Sequence, residues 1–220
     1  MGSMTIADFS LKIDLRLNKG ASNDYDAIWS DVKEEAANKG VTDFVRRQVK
    51  GKNQTQEGDE ETTAKVDDLQ VLLKPEVLKV TKKNGFFETE KLPQDYLYYK
   101  RLTPNVKKGE CDSLDIKSYF SEEANVDDLR HVPSFDFEET FHTLAGNKFK
   151  IYFDDFDVLK ASLIYYRKPK KLNFKKLNDI LEFKDDICEM IVDETVKIIA
   201  SDIESINQKN LAQERVQIQE

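Results

Sequence analysis

Between residues 76 and 167 the chain is cut into short segments rich in Val, Ile, Tyr and Phe. The cuts fall at turn signals: Asn84-Gly85, Leu92-Pro93, Lys108-Gly109, Gly146-Asn147 and Asp154-Asp155. Such pairs supply the backbone conformations that tight turns need, and branched and aromatic side chains fit a pleated, half-buried surface. The pattern predicts strands over 76–81, 86–91, 96–103, 112–119, 138–145, 148–153 and 157–167, the spacing of a small sandwich or barrel. A short helix is expected near 121–130.

The flanks read as helical. Over 22–49, Tyr25, Ile28, Val32 and Ala36 recur at helical spacing and continue through Val41, Phe44, Val45 and Val49, with Asn23 or Asp24 placed as a cap. Gly40 costs about 1 kcal/mol against Ala there and allows a break or a kink. Over 9–17 the residues Leu11, Ile13, Leu15 and Leu17 alternate like a strand, while Asp14 and Arg16 tolerate helix. Past Pro169, Asp185 or Asp186 can cap a helix with one stripe at Ile187, Ile191, Thr195 and Ile198 and a neighbouring one at Cys188, Val192, Ile199 and Ile203.

Two segments lack the means to build a core. Residues 51–63, GKNQTQEGDEETT, carry no large apolar side chain and are expected to be a mobile loop; residues 206–220, rich in Gln, are expected to fray. The fold class is therefore α+β: N-terminal helices, an antiparallel sandwich or barrel of about six to eight strands, and a C-terminal helix. The expected division is an expression scar at 1–3, a helical segment at 4–50, a mobile loop at 51–66, a β domain at 67–169, a helical segment at 170–205 packing with the N-terminal helices, and a flexible tail at 206–220.

Thirteen Phe and eight Tyr argue for a folded core although 35% of the chain is charged. A formal charge of -8 repels phosphate backbones, which disfavours nucleic-acid binding unless positive charge is concentrated locally. Cys111 and Cys188 are far apart and lie in no CxxC or Cys/His cluster, so neither a disulfide framework nor a zinc site is encoded. No apolar run is long enough for a membrane span and the start lacks signal-peptide character, so synthesis in the cytosol is expected.

Candidates for catalysis are sparse. His131 and His142 have no metal-ligand spacing and read as structural; GxSxG, Walker and GxGxxG loops do not occur. Acidic pairs at Glu60-Glu61, Glu122-Glu123, Asp127-Asp128, Asp154-Asp155 and Asp185-Asp186 are explained by capping and solvation, although any two could in principle serve a hydrolase. No catalytic, cofactor or metal residue is assigned, and the chain is read as non-enzymatic. The stretch 167–176 places Arg167, Lys168, Lys170, Lys171, Lys175 and Lys176 together without an acid. It reads either as a contact for DNA or an acidic partner, or as a solvated connector partly packed through Leu172 and Phe174. Trp29 is either core or an interface anchor. Phe44, Arg46 and Arg47 read as a packed helix with a partner-facing edge.

Three segments together resemble a family. Leu17-Asn18-Lys19, Asp26 to Trp29, Ala36-Ala37-Asn38-Lys39 and Phe44-Val45-Arg46-Arg47-Gln48 resemble the N-terminal helical part of structural proteins of crAss-like and related podovirus-type phages. Asn84-Gly85-Phe86-Phe87 followed by Leu92-Pro93-Gln94-Asp95-Tyr96-Leu97 resembles the signature of their β domain. Pro133-Ser134, Gly146 to Tyr152 and Leu163 to Pro169 resemble the strand pair and closing strand of tail-tubular and head-tail adaptor proteins.

The resemblance assigns 9–17 to helix and implies a head-to-tail connector subunit. About a dozen copies would form a homo-oligomeric ring between the portal protein and tail or further ring proteins, in the neck of a virion made in a bacterial cytoplasm. Genomic DNA would pass through without sequence-specific binding, as an acidic lining favours, and no membrane or cofactor is involved. Residues 51–63 and the tail, with Ile206, Leu211 and Val216, would then be interface elements beside Trp29, Phe44, Arg46 and Arg47. The alternative is a glycan- or protein-binding β module of a bacterial surface or accessory protein, using Tyr98, Tyr99 and Tyr152 as stacking platforms.

Overall fold

The computed structural model describes residues 4–20, 28–50 and 68–217, with 19, 20, 50 and 204–217 as backbone. The expected scar at 1–3 and the expected loop at 51–66 lie outside the described residues. The chain divides into two units: Leu72–Lys168, and a second formed by Met1–Val71 with Pro169–Glu220.

The first unit is a sheet with one short 3-10 segment. Its elements are β1 (Leu73–Lys82), β2 (Phe86–Thr89), β3 (Tyr96–Lys107), β4 (Leu114–Asp115), β5 (Lys117–Phe120), β6 (Glu139–Ala145), β7 (Lys148–Tyr152) and β8 (Asp157–Arg167). They form one mostly antiparallel, barrel-like sheet in the order β4-β3-β8-β1-β2-β7-β6-β5. Gly85 and Gly146, at φ of 84° and 62°, make the turns into β2 and β7, where a side chain would be strained. The sheet nearly closes because one extended segment changes partners. β4 pairs with β3, the Ile116 amide donates to the Pro104 carbonyl at 3.0 Å, and β5 then runs parallel to β6. Sequence patterning expects a single strand at 112–119; the switch breaks it at Ile116, whose side chain is buried.

Alternation sends Leu78, Phe87, Leu102, Val106, Phe149, Ile151, Ala161, Leu163 and Tyr165 into one continuous core. The signature at 92–97 and the closing strand meet there. Tyr165 donates its hydroxyl to Asp95 at 2.7 Å, Lys74 donates to the other carboxylate oxygen at 3.0 Å, and the Tyr96 ring lies 5.6 Å from that of Tyr165. These motif residues hold the barrel together. The helix expected near 121–130 is instead a 3-10 turn (Glu123–Asn125) followed by further i to i+3 turns, Val126 to Leu129 and Leu129 to Val132. Val126 and Leu129 are too few to give a helix a buried face, and Pro133 stops it.

The second unit holds α1 (Ile6–Gly20), α2 (Ser30–Lys50) and α3 (Asp185–Gln217), in agreement with the α+β class. Thr5 and Asp8 form a capping box: the Asp8 amide donates to the Thr5 hydroxyl at 3.1 Å, and the Thr5 amide and hydroxyl donate to the Asp8 carboxylate. Those hydrogen bonds lower the Asp8 pKa. Backbone bonds from Ile6 to Asp179, Ala7 to Leu177 and Leu181 to Met4 pin the N-terminus to the segment before α3. The Met4 amide donates to Asp185 at 2.9 Å.

Ile28 and Trp29 precede α2 rather than belong to it, and the Trp29 carbonyl receives the amides of Val32 and Lys33. The residues expected to cap it, Asn23 and Asp24, lie outside the described residues. α2 runs unbroken through Gly40. An added Cβ there would sit 2.9 Å from the Thr195 hydroxyl, so the missing side chain lets α2 approach α3. α3 buries Ile187, Cys188, Ile191, Val192, Thr195 and Ile199. Its backbone stays helical through Gln217, so the expected tail at 206–220 is corrected for its first twelve residues. Leu211, Ala212, Gln213, Glu214 and Arg215 all favour helix and neither Gly nor Pro interrupts them. Among the described residues no helix is long and apolar enough to cross a membrane.

Candidate interaction surfaces

The sequence-expected interface residues separate once placed. Trp29 is 81% exposed and Val32 beside it is also exposed. Phe44 belongs to the core, packed edge-on to Phe183 at 6.2 Å, because it lies on the α2 face turned to α3; its expected role at a partner-facing edge is corrected. Arg46 is exposed beside Asp43, whereas Arg47 reaches back to Glu194 at 2.7 Å. Ile206, Leu211 and Val216 lie on the α3 backbone, with side chains outside the described set.

α1 adds a surface that the alternation at 9–17 conceals. On a helix, Ile13 and Leu17 turn to one side together with Ile6 and Phe9, and all four are buried. Leu11 and Leu15, one turn apart, face the other way and are 57% and 52% exposed. Between them, Lys12 and Arg16 both bind Glu189 of α3, and Arg16 also binds Asp193, clamping the helix while its outer stripe stays open.

The basic stretch is tied down through its backbone. The Leu172 amide donates to Asn38 Oδ1 at 2.9 Å, Asn38 Nδ2 donates to the Leu172 carbonyl, and the Phe174 amide donates to Glu34 at 2.9 Å. Phe174 is buried against Phe9, and the Lys170 amide donates to Glu182. Lys170, Lys171, Lys175 and Lys176 stay exposed, so a packed connector with a cationic outer side fits the geometry. Arg167 and Lys168 fall in the β unit, where their side chains donate to the carbonyls of Lys168 and Gln94.

On the β unit the tyrosines divide. Tyr99 turns into the barrel, its ring 5.5 Å from Phe120 and 5.6 Å from Phe149, and its hydroxyl receives the Leu102 amide. Burial raises its pKa. It is no surface platform. Tyr152 is half-buried, in a row of aromatic residues crossing four strands whose Phe141 is fully buried. Tyr119 pairs with Phe141, Phe141 stacks on Tyr152 at 4.4 Å and 8°, and Tyr152 pairs with Phe86. At the Phe86 end a cleft of about 520 Å³ opens, lined by Phe86, Tyr152 and Phe153 with Val126 and Pro133, and by the charged Glu123, Lys150 and Arg130.

Glu123 binds Lys150 and receives the Thr143 hydroxyl at 2.7 Å, so the two charges lining the cleft are paired with each other. This lowers the Glu123 pKa and raises that of Lys150, whose ammonium lies 5.3 Å above the Phe86 ring. Arg130 is exposed and paired with Asp127 at 2.9 Å. Spacing could not reveal this cleft, since its walls come from three separated segments.

His142 is fully buried inside the barrel. Its Nδ1 is 2.6 Å from the Ser118 hydroxyl and its Nε2 has no partner. Burial pushes its pKa down to about 4. His131 is exposed. The Cys188 thiol is buried and pushed up to about 12 by burial and then by Asp185, Asp186 and Glu189, while Cys111 is exposed. Of the acidic pairs, Glu123 is held as described, Asp155 binds Lys108, Asp127 binds Arg130 and Asp185 receives the Met4 amide; Glu60-Glu61 lies outside the described residues. Among the described residues no three His, Cys, Asp or Glu side chains are grouped to hold a metal. No protein-family model matches the chain, and no curated protein matches it.

Proposed function

We propose that this chain is a non-enzymatic virion protein, a ring-forming subunit of a phage head-to-tail connector that joins portal to tail around the DNA channel. The observation that carries the reading is apolar surface left open by otherwise well-packed elements. α1 buries one stripe and exposes Leu11 and Leu15, and Trp29 and Val32 stand open at the start of α2. Two leucines one turn apart and a tryptophan that is almost wholly exposed are surface that a subunit mating with copies and neighbours would bury. The acidic balance suits a channel through which DNA must slide, since few phosphates would be neutralised. The glycan-binding alternative loses one of its three platforms, because Tyr99 packs inward.

The test is assembly on the portal protein of the same virus, followed by electron microscopy. A ring of this chain at the portal is expected. A chain that neither co-purifies with portal nor appears in the virion neck would reject the reading.

A further inference from the structure

The turn at 134–139 of the β unit, Ser-Phe-Asp-Phe-Glu-Glu, is held more firmly than an exposed loop tip needs. Ser134 and Glu139 exchange backbone hydrogen bonds at 2.9 and 3.1 Å. Between them the Phe137 amide donates to the Ser134 hydroxyl at 3.3 Å and the Glu138 amide to the Phe135 carbonyl at 3.1 Å. The Glu138 carbonyl receives the Lys117 amide of β5 at 2.9 Å. These bonds hold Glu138 at φ 56°, in the left-handed region that residues other than glycine rarely occupy. Such strain persists only where the surroundings fix it, and it collects at binding and switching sites.

The turn sends its two phenylalanines to different places. Phe135 packs against the barrel core, with the Lys108 ammonium 5.8 Å from its ring. Phe137 stands in solvent, 80% exposed, where a polar residue would serve the turn equally well. A large apolar side chain on a backbone that is already fixed loses little conformational entropy when a partner covers it, which is the property of an interface anchor. The acids Asp136 and Glu138 flank it, and both are exposed. Lys108 lies 3.8 Å from Asp136 but also binds Asp155, and Glu138 enters no salt bridge among the described residues.

The complement of such a tip is an apolar pocket with a basic rim. Two clefts of this chain fail that requirement. In the Phe86–Tyr152 cleft, Lys150 and Arg130 are already paired with Glu123 and Asp127. In a second cleft of about 330 Å³, Met4, Leu11 and Leu15 stand beside Asp8, Lys12 and Glu189, and the lysine is paired with Glu189. A formal charge of -8 also sets copies against one another. Resting on the connector reading, we propose that Phe137 anchors a contact with a different protein of the neck, seated in an apolar pocket whose rim carries Lys or Arg side chains facing Asp136 and Glu138.

The test places the photo-cross-linking analogue p-benzoylphenylalanine at position 137 of the full-length chain, in neck particles assembled with the portal and tail proteins of the same virus. Cross-links are expected to a protein other than this chain, at a peptide with apolar residues beside Lys or Arg. Phe137→Ala should leave the denaturation midpoint unchanged and raise the concentration needed for assembly about tenfold or more. Asp136→Asn with Glu138→Asn, which keeps at 138 a residue that tolerates the left-handed conformation, should weaken assembly and reduce its dependence on salt. Assembled particles that give no cross-link, or cross-links to a second copy of this chain or to a peptide without a basic residue, would overturn the anchor. So would a Phe137→Ala chain that assembles like wild type or unfolds earlier; each of these results leaves the ring reading standing. A chain that never enters the neck would overturn both.

Discussion

The barrel and the helical unit are specified by different means. In the barrel the places of most strands follow from turn geometry and from alternation, and the interior from Leu78 to Tyr165 is one contiguous core. The helices enclose a core of their own, including Phe9, Ile13, Phe44, Ile187 and Ile191. They are set against one another by contacts distant in sequence: the approach of Gly40 to Thr195 and the clamp of Lys12 and Arg16 on Glu189. α1 and the start of α2 also leave apolar residues open on the side away from their core. Exposed apolar residues occur on both units, at Leu11, Leu15, Trp29 and Val32 in the helical one and at Val77, Phe120, Phe137 and Leu159 in the barrel.

If that contrast holds, the largest loss of stability should come from the barrel interior. Phe149→Ala empties space next to Tyr99 and His142 and should cost about 4 kcal/mol, read from chemical denaturation. A loss below about 1 kcal/mol would show that the interior is not tightly packed.

Acidification should act on the same unit. His142 is buried and neutral with its pKa depressed to about 4 against an ordinary 6.5. Its neutral state is therefore fully tolerated above pH 6.5, and stability is lost as pH falls from there through 4, by up to about 3 kcal/mol. Relative to wild type, His142→Leu should flatten the fall in stability over that window. Equal pH profiles for the two proteins would contradict a buried neutral imidazole.

In the helical unit the decisive space is at Gly40. Gly40→Val places a branched side chain against Thr195 and should cost about 2 kcal/mol, whereas the smaller Gly40→Ala should be relieved by Thr195→Ala in a double-mutant cycle. Additive effects of the alanine pair would show that the two helices do not meet there.

The smallest change in folding should come from the open stripe. Leu11→Ser with Leu15→Ser should alter stability by less than about 0.5 kcal/mol, because both already face solvent, yet it should weaken assembly on portal. A large loss of stability would place these leucines in the core.

Much of this division could be read from the chain. Strands at 86–89, 139–145, 148–152 and 157–167 fall where glycine turns and branched residues put them, because their signals are local. The break at Ile116 was hidden, since a strand changes partners through long-range pairing that leaves no local mark. Ile28 and Trp29 keep the helical period yet lie before the first turn of α2, where backbone geometry overrides periodicity. The end of α3 is concealed for the opposite reason: few apolar residues mark it, although the propensity of residues 211–215 sustains the helix. Trp29 was legible as a candidate anchor but not as exposed, and the Phe86–Tyr152 cleft is assembled from residues 84–86, 123–133 and 150–153.

The most direct test of the connector role is electron microscopy of the virion neck with the portal in place. Density for this barrel and its three helices, repeated in a ring below the portal with Leu11, Leu15 and Trp29 covered by neighbours, is the expected result. A neck that lacks the chain, or a ring in which all three side chains remain in solvent, would contradict it.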